Sequence, residues 1–421
     1  MRKGTPERLL LACLTSTAPT GLRGFPESTW DEVVRLAAYH GVAPLLFRRV
    51  QPLATEVPLP DRIVAALRGL YLDSMVRNMR LYSRLHDLLS ALRSDGVEVL
   101  ILKGAHLAQA VYGDIALRPM ADVDILVRKE DLWRAEQRLL GMGYAPSEEN
   151  GKYERTDLHF AYSLPEEGWV ELHWDIVKPH WPFRMDVGDV WQRAHTAAVA
   201  GVDVWVLSPE DLLLYLCLHT GFHHTFDYFG LKPICDIAEV IRRYEGQLAW
   251  PEVQRRARQA GAANVVYLTL ALVQRLLEAN VPEEALRGLA PGRPAPEIIS
   301  LAERRVFLNA NTWAEATEAE PSGMSDGLGA LWMAKGIVAK ASAFLRICLP
   351  SPQALARKYA LPPGSQRAYF YYPLHWKDLA WHRARLVWRL LHHDEEALAW
   401  AEREARRVER NTLRDWLTAA R

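Results

Sequence analysis

Apolar positions change their period twice along the chain. From residue 6 to 93 they recur at helical spacing. "TPERLLLACL" begins a helix with Thr5 as its cap, and "STWDEVVRLAAYHGVAPLLFRRV" begins another at Ser28 or Thr29. A longer helix is predicted from Asp61 to Arg93, where Leu67, Leu70, Met75, Met79, Leu85, Leu88, Leu89 and Leu92 fall near a 3.6-residue repeat and "SDG" ends the run. From Val97 the period shortens. "VEVLILK" reads as a strand, Gly104 opens the short helix "GAHLAQAVYG", "VDILV" is a second strand, and "EDLWRAEQRLLGMGY" a helix stopped at Gly141 and Gly143. "LHFAYSL" and "GWVELHWDIV", joined across "PEEG", read as a hairpin, and "VDVWVL" at 202–207 adds a strand.

Helical spacing returns over 209–279, with Ser208 as cap, Pro209 in the first turn, and Glu210 and Asp211 at the positive helix end. The Pro- and Gly-rich run 281–299 marks a boundary, a polar stretch follows near 309–327, and the tail from Trp376 is helical and rich in Arg and Trp. These patterns imply an α+β fold in which a small mixed sheet with helices is embedded in a largely helical chain. The expected divisions are 1–94 (helical), 95–207 (α/β core), 208–292 (helices flanking a cleft) and 293–421 (C-terminal helices).

With 51 Lys plus Arg against 51 Asp plus Glu, the formal charge is zero, which removes the electrostatic footprint expected of a duplex-nucleic-acid binder. Cys13, Cys217, Cys235 and Cys348 are widely separated and read as buried thiols in a reducing compartment. The first 21 residues hold only a short apolar run, Leu9 to Leu14, and no stretch approaches the roughly 20 apolar residues of a membrane span. A cytoplasmic protein is expected.

The chemistry concentrates in "LILKGAHLAQAVYGDIALRPMADVDILV", Leu100 to Val127. Asp122 and Asp124 are two apart at a strand mouth, so their side chains share one face and repel unless water or a cation lies between them. A divalent ion with oxygen ligands, Mg²⁺ or Mn²⁺, relieves that repulsion and also ligates phosphates. In "GWVELHWDIV", alternation puts Glu171, His173 and Asp175 on one face. Glu171, central in the strand, is the expected third carboxylate and Asp175 the alternate.

In order along the chain, "LILKG", "ALRPMADVDILV", the "EDL…A…LLGMGY" helix and "WVELHW" resemble the nucleotidyltransferase superfamily, which includes polymerase-β-like and aminoglycoside-modifying enzymes. They resemble more closely its bacterial uncharacterised nucleotidyltransferase branch, over roughly residues 28–245. The resemblance implies that Asp122 and Asp124 are the metal-binding pair and Glu171 the third acid. It further implies a nucleoside triphosphate, ATP being the expected one, as co-substrate. NMP would pass to an acceptor hydroxyl on a sugar, small metabolite, peptide, protein or RNA, with release of pyrophosphate. Close relatives often accompany polysaccharide or peptide natural-product biosynthesis. Lys103-Gly104 stands where the wider superfamily has Gly-Gly or Gly-Ser, and is typical of the nearer branch. Gly104 at a helix start admits a phosphate to backbone N–H groups, and Lys103 adds a point charge. Arg118 is expected to grip the triphosphate or pyrophosphate, or else to pair with Asp114 or Asp122. Lys232 is a further triphosphate candidate, or an i, i+4 partner of Asp236.

Two other features compete for a role. His219 and His223 in "CLHTGFHH" have a zinc-like i, i+4 spacing, but Thr220 stands where a hydrolase motif carries Glu, so His219 is also read as lining the nucleotide cleft. His159 reads as a hairpin residue. In "YYPLHWKDLAWHRARLVWRLLHH", Trp376, Trp381 and Trp388 are mixed with Arg383, Arg385 and Arg389, a pattern suited to packing on the protein itself or to a membrane surface. The enzyme alternative is a zinc-dependent hydrolase built on His219 and His223, and the non-enzyme alternative a catalytically degenerate nucleotide-binding or regulatory module.

Overall fold

A computed structural model describes residues 5–15, 25–51, 59–147, 158–164, 168–227, 230–292, 296–307, 349, 355, 359, 366–374, 376–377 and 395–419. The chain divides into two compact units, one of residues 1–308 and 416–421, the other of residues 309–415.

The first unit is built around a seven-stranded mixed sheet. Its strands are β1 (Val99–Ile101), β2 (Asp122–Val127), β3 (Ala145–Pro146), β4 (His159–Leu164), β5 (Gly168–His173), β6 (His195–Val199) and β7 (Val202–Val206), in the order β3-β4-β5-β2-β1-β7-β6. β2 runs parallel to β5 and antiparallel to β1, β1 runs parallel to β7, and the β4–β5 and β6–β7 pairs are antiparallel. The α+β class read from the pattern is the one observed.

Alternation divides the sheet into two faces. Val99 and Ile101 of β1, Val123, Ile125 and Val127 of β2, and Val170 and Leu172 of β5 join one buried core. Leu81, Leu85, Leu88, Leu89 and Leu92 enter it from α4 (Asp61–Ser94), and Ala135 and Leu139 from α6 (Leu132–Gly141). Residues three and four apart on each helix form the stripe that covers the strands. Removing one such side chain, as in Leu88→Ala, would cost about 2–5 kcal/mol. The opposite face of β2 and β5 carries Asp122, Asp124, Glu171 and His173, so the period of two that builds the core also gathers the acids.

Further helices of this unit are α1 (Pro6–Leu14), α2 (Glu27–Tyr39), α3 (Ala43–Val50), α5 (Gly104–His106, continued by a π turn over Leu107–Val111) and α7 (Val187–Arg193). After the sheet come α8 (Pro209–Leu218), α9 (Leu231–Arg243), α10 (Trp250–Gln259), α11 (Ala263–Leu277), α12 (Glu283–Leu289) and α13 (Pro296–Val306). Ser208 caps α8 as expected, its hydroxyl accepting from the Asp211 amide. Two caps differ from expectation. The Thr5 side chain makes no capping bond, and α2 begins at Glu27 after Pro26, so Ser28 and Thr29 lie inside its first turn.

Cys13, Cys217 and Cys235 are buried free thiols, while Cys348 lies outside the described residues. No helix among the described residues is long and apolar enough to cross a membrane. In the second unit Leu355 is buried against Tyr359 and Tyr372, and a 3₁₀ segment spans Gln366–Tyr371. A final helix, α14, spans Glu395–Thr418. Trp376 is exposed, and the expected Arg- and Trp-rich stripe at Trp381, Arg383, Arg385, Trp388 and Arg389 lies outside the described residues.

Candidate active site

The register of β2 on β5 sets Asp122 opposite Trp169 and Asp124 opposite Glu171. One oxygen from each of Asp122, Asp124 and Glu171 lies within 4.8 Å of the others. Asp124 is the most enclosed, its side chain 1% exposed, while Glu171 keeps 28%. Two nitrogen groups approach Asp124 Oδ1: Lys103 Nζ at 3.1 Å and His173 Nε2 at 3.4 Å. Neither contact has hydrogen-bond geometry, and Oδ1 keeps an unused lone pair. Three converging carboxylates, one with an orphaned buried oxygen, suit a hard divalent ion such as Mg²⁺ or Mn²⁺.

Each neighbour's charge follows from this crowding. Burial works against the Lys103 ammonium, but Asp124, Asp122 and Glu171 outweigh it and raise its pKa above the ordinary lysine range. Burial alone would raise Glu171. Its contact with His173, at 3.3 Å, and the charges of His173 and Lys103 bring it down to about 2. His173 is buried, which disfavours its charge, yet the two carboxylates raise its pKa. Glu171 is therefore anionic at neutral pH, and suited to holding a cation more than to accepting a proton.

The loop before β2 is fixed from three sides. Asn78, fully buried on α4, donates to the carbonyls of Ile115 and Arg118 and accepts from the Met120 amide. Asp114 caps the turn at Ile115–Leu117 and accepts from the Tyr71 hydroxyl at 2.9 Å. Tyr82 donates its hydroxyl proton to the Ala105 carbonyl, tying α5 to α4. At the turn between β1 and α5, Gly104 has φ +26°. A Cβ there would lie within 4 Å of Met120 Sδ, the Asp122 carbonyl and the Arg118 guanidinium, so Gly104 brings the strand end close to the acidic loop.

Three sequence expectations need correction. Arg118 pairs with neither Asp114 nor Asp122. Its guanidinium makes a buried, two-point pair with Asp236 of α9, both contacts at 2.8 Å, and Asp236 also accepts from Tyr112. Asp236 is thereby taken from Lys232, whose ammonium lies 3.5 Å from the Pro119 carbonyl on the same loop. Burial and the nearby Arg118 charge lower the Lys232 pKa to about 8. Asp175 lies beyond β5, which ends at His173, and its carboxylate accepts from the Ile176 and Val177 amides, so it does not continue the acidic face.

The histidines gather more closely than their spacing suggests. His159 stands opposite His173 in the β4–β5 ladder, their rings 4.7 Å apart, with Glu171 4.0 Å from its Nε2. Burial and the neighbouring His173 lower its pKa to about 4. The hairpin register, available from the alternation, was the signal that could have placed it there. His219 begins a π turn over His219–His223, and its Nε2 lies 3.2 Å from Lys103 Nζ. Burial and the Lys103 charge keep its pKa well below the ordinary value. Asp124, Glu171, His173, Tyr215, His219 and His223 line one pocket.

A family model described as uncharacterised nucleotidyltransferase matches residues 26–278, more than half the chain. Among curated proteins none matches. Two solved structures overlap the chain at 17% identity and a TM-score of 0.31, each covering 42% of it. They are a solution structure of the antibiotic-resistance factor ANT(2'')-Ia and a crystal structure of ANT(2'')-Ia in complex with adenylyl-2''-tobramycin, covered over 89% and 95% of their own lengths.

Proposed function

The chain belongs to the uncharacterised nucleotidyltransferase family, and from that premise we propose that it moves a nucleotidyl group from a nucleoside triphosphate, ATP in the first instance, to an acceptor hydroxyl. The observation that carries this reading is the convergence of Asp122, Asp124 and Glu171 within 4.8 Å on one face of two paired strands. These residues would hold Mg²⁺ or Mn²⁺. Such an ion, when bound, offsets triphosphate charge and favours ionisation of an acceptor hydroxyl.

The chain's own groups then divide the work. Asp122 and Asp124 would hold the ion that orients the reacting phosphate, and Glu171, anionic at neutral pH, completes the acidic set. Lys103, already charged and 3.1 Å from Asp124, is placed to exchange that partner for a β- or γ-phosphate oxygen. Gly104 keeps the turn beside the acids clear of a side chain. Arg118 acts through Asp236 to hold the loop, and Lys232 of α9 reaches the Pro119 carbonyl of that loop as a second cation. Positioning and charge neutralisation supply most of the barrier reduction in such transfers.

A catalytically silent nucleotide-binding module draws support from one observation, that Lys103 and His173 already crowd Asp124, at 3.1 and 3.4 Å. The two readings separate when the protein is incubated with Mg²⁺, a cell extract and ATP labelled at the α- or the γ-phosphate. Transfer predicts that only the α-label enters an acceptor, with pyrophosphate release, and that Asp122→Asn, Asp124→Asn and Glu171→Gln each abolish it. Nucleotide binding without pyrophosphate release would replace this reading by the silent one.

A further inference from the structure

The acidic site does not account for the three histidines, His219, His223 and His224, of the π turn beside it. The π turn at His219–His223 closes with the His224 amide donating to the His219 carbonyl at 3.1 Å. The extra residue in that turn brings His219, His223 and His224 onto one side, and π turns of this kind are frequent at functional sites. Ring centroids are 5.5 Å apart for His219–His223, 4.4 Å for His219–His224 and 4.3 Å for His223–His224. One nitrogen from each ring lies within 4.8 Å of the other two.

The closest pair is informative. Nε2 of His219 and Nε2 of His224 are 3.3 Å apart. For two imidazoles bound tetrahedrally to zinc at the usual Zn–N length, the nitrogen–nitrogen edge is about 3.3–3.4 Å. All three side chains are half-buried, which leaves a path for an ion, and His219 and His223 open onto the pocket that Asp124 and Glu171 also line.

The backbone is held in this shape from outside the turn. Thr225 and Phe226 both have positive φ, 47° and 65°, a conformation that costs of order 1–3 kcal/mol per residue. Arg305, fully buried on α13, offsets it by donating to the Thr225 carbonyl at 2.8 Å and to the Thr225 hydroxyl, and by pairing with Asp227.

We propose that His219, His223 and His224 form a binding site for one divalent transition-metal ion of the zinc class, distinct from the carboxylate site and leaving a fourth position open to the shared pocket. Imidazole nitrogen suits zinc, as carboxylate oxygen suits magnesium. When His219 gives its lone pair to the ion, Lys103 retains Asp124 as a partner. The 3.3 Å spacing also fits an N–H···N hydrogen bond between His219 and His224, and titration separates the two.

The test uses the whole chain stripped by a chelator, its carboxylate site filled with a large excess of Mg²⁺, and titrated with Zn²⁺ by calorimetry, then with Co²⁺ by visible absorption. The expected result is one equivalent of Zn²⁺ and tetrahedral Co²⁺ bands. Affinity should fall by at least about tenfold, the scale on which even outer-shell losses act, in His223→Ala and His224→Ala. His224→Cys should keep the ion through its thiolate, and Asp124→Asn and Glu171→Gln should bind as the parent does. Circular dichroism checks folding, and His223→Gln serves if an alanine variant does not fold. Absence of stoichiometric binding, binding that survives the histidine substitutions, or binding lost in the carboxylate variants would each overturn the proposal.

Discussion

Arg118 offers the sharpest check on how the acidic loop is held. Replacing it by methionine keeps an apolar stem of similar reach and removes the guanidinium. Asp236, with 3% of its side chain exposed, then loses two N–H donors at 2.8 Å and retains only the Tyr112 hydroxyl. Two charge-assisted hydrogen bonds at about 1.5–3 kcal/mol each, and the known cost of stranding one member of a buried ion pair, agree on a loss of about 3–5 kcal/mol. The double variant Arg118→Met, Asp236→Leu strands no charge but leaves the Tyr112 hydroxyl without its acceptor, so it should recover only part of that loss. Equilibrium urea unfolding followed by tryptophan fluorescence at neutral pH reads both. A single-variant loss below about 1 kcal/mol, or a double variant as unstable as the two singles combined, would refute the latch and return Arg118 to direct phosphate contact.

Asn78→Ala removes the group that satisfies two carbonyls and the Met120 amide, so unfolding should be easier by about 2–3 kcal/mol, and an unchanged midpoint would contradict the role given to it. Gly168→Ala puts a Cβ 3.1 Å from the Ala121 carbonyl at φ +110°, just beside Asp122, and a thermal melt should show about 2 kcal/mol of destabilisation. His40 and His106 are buried, and burial lowers both from 6.5 to about 4. Between those values the unfolded chain binds more protons than the folded one, so stability is full above pH 6.5 and falls as the pH drops toward 4. The loss approaches about 3 kcal/mol per imidazole. Denaturation midpoints taken across that window should fall with pH, and less steeply in His40→Asn.

The parts of the fold that were legible are those with a strong local period. The alternation in "VDILV" and "WVELH" puts Val123, Ile125, Val170 and Leu172 in the core, and by the same count puts Asp122, Asp124 and Glu171 on the opposite face. β6 escaped because its residues, "HTAAV", are mostly exposed or small, which erases alternation, and β3 is two residues long and ends in proline. Asp175 falls on the acidic face only when the alternation is extended two residues past the strand end at His173, where the chain turns and uses that carboxylate as a local cap. The Arg118–Asp236 pair joins residues 118 apart, and no local pattern encodes such a partner. The gathering of His224 with His219 and His223 depends on one extra residue in a π turn, which a regular 3.6-residue count misplaces.

The most direct test of the account is the position of a divalent ion in crystals grown with Mn²⁺ and a non-transferable ATP analogue, read from the manganese anomalous signal. The account predicts a peak within bonding distance of oxygens from Asp122, Asp124 and Glu171, and its loss in Asp124→Asn crystals. A peak held by other residues while these three remain unligated, or one unchanged in the variant, would contradict it.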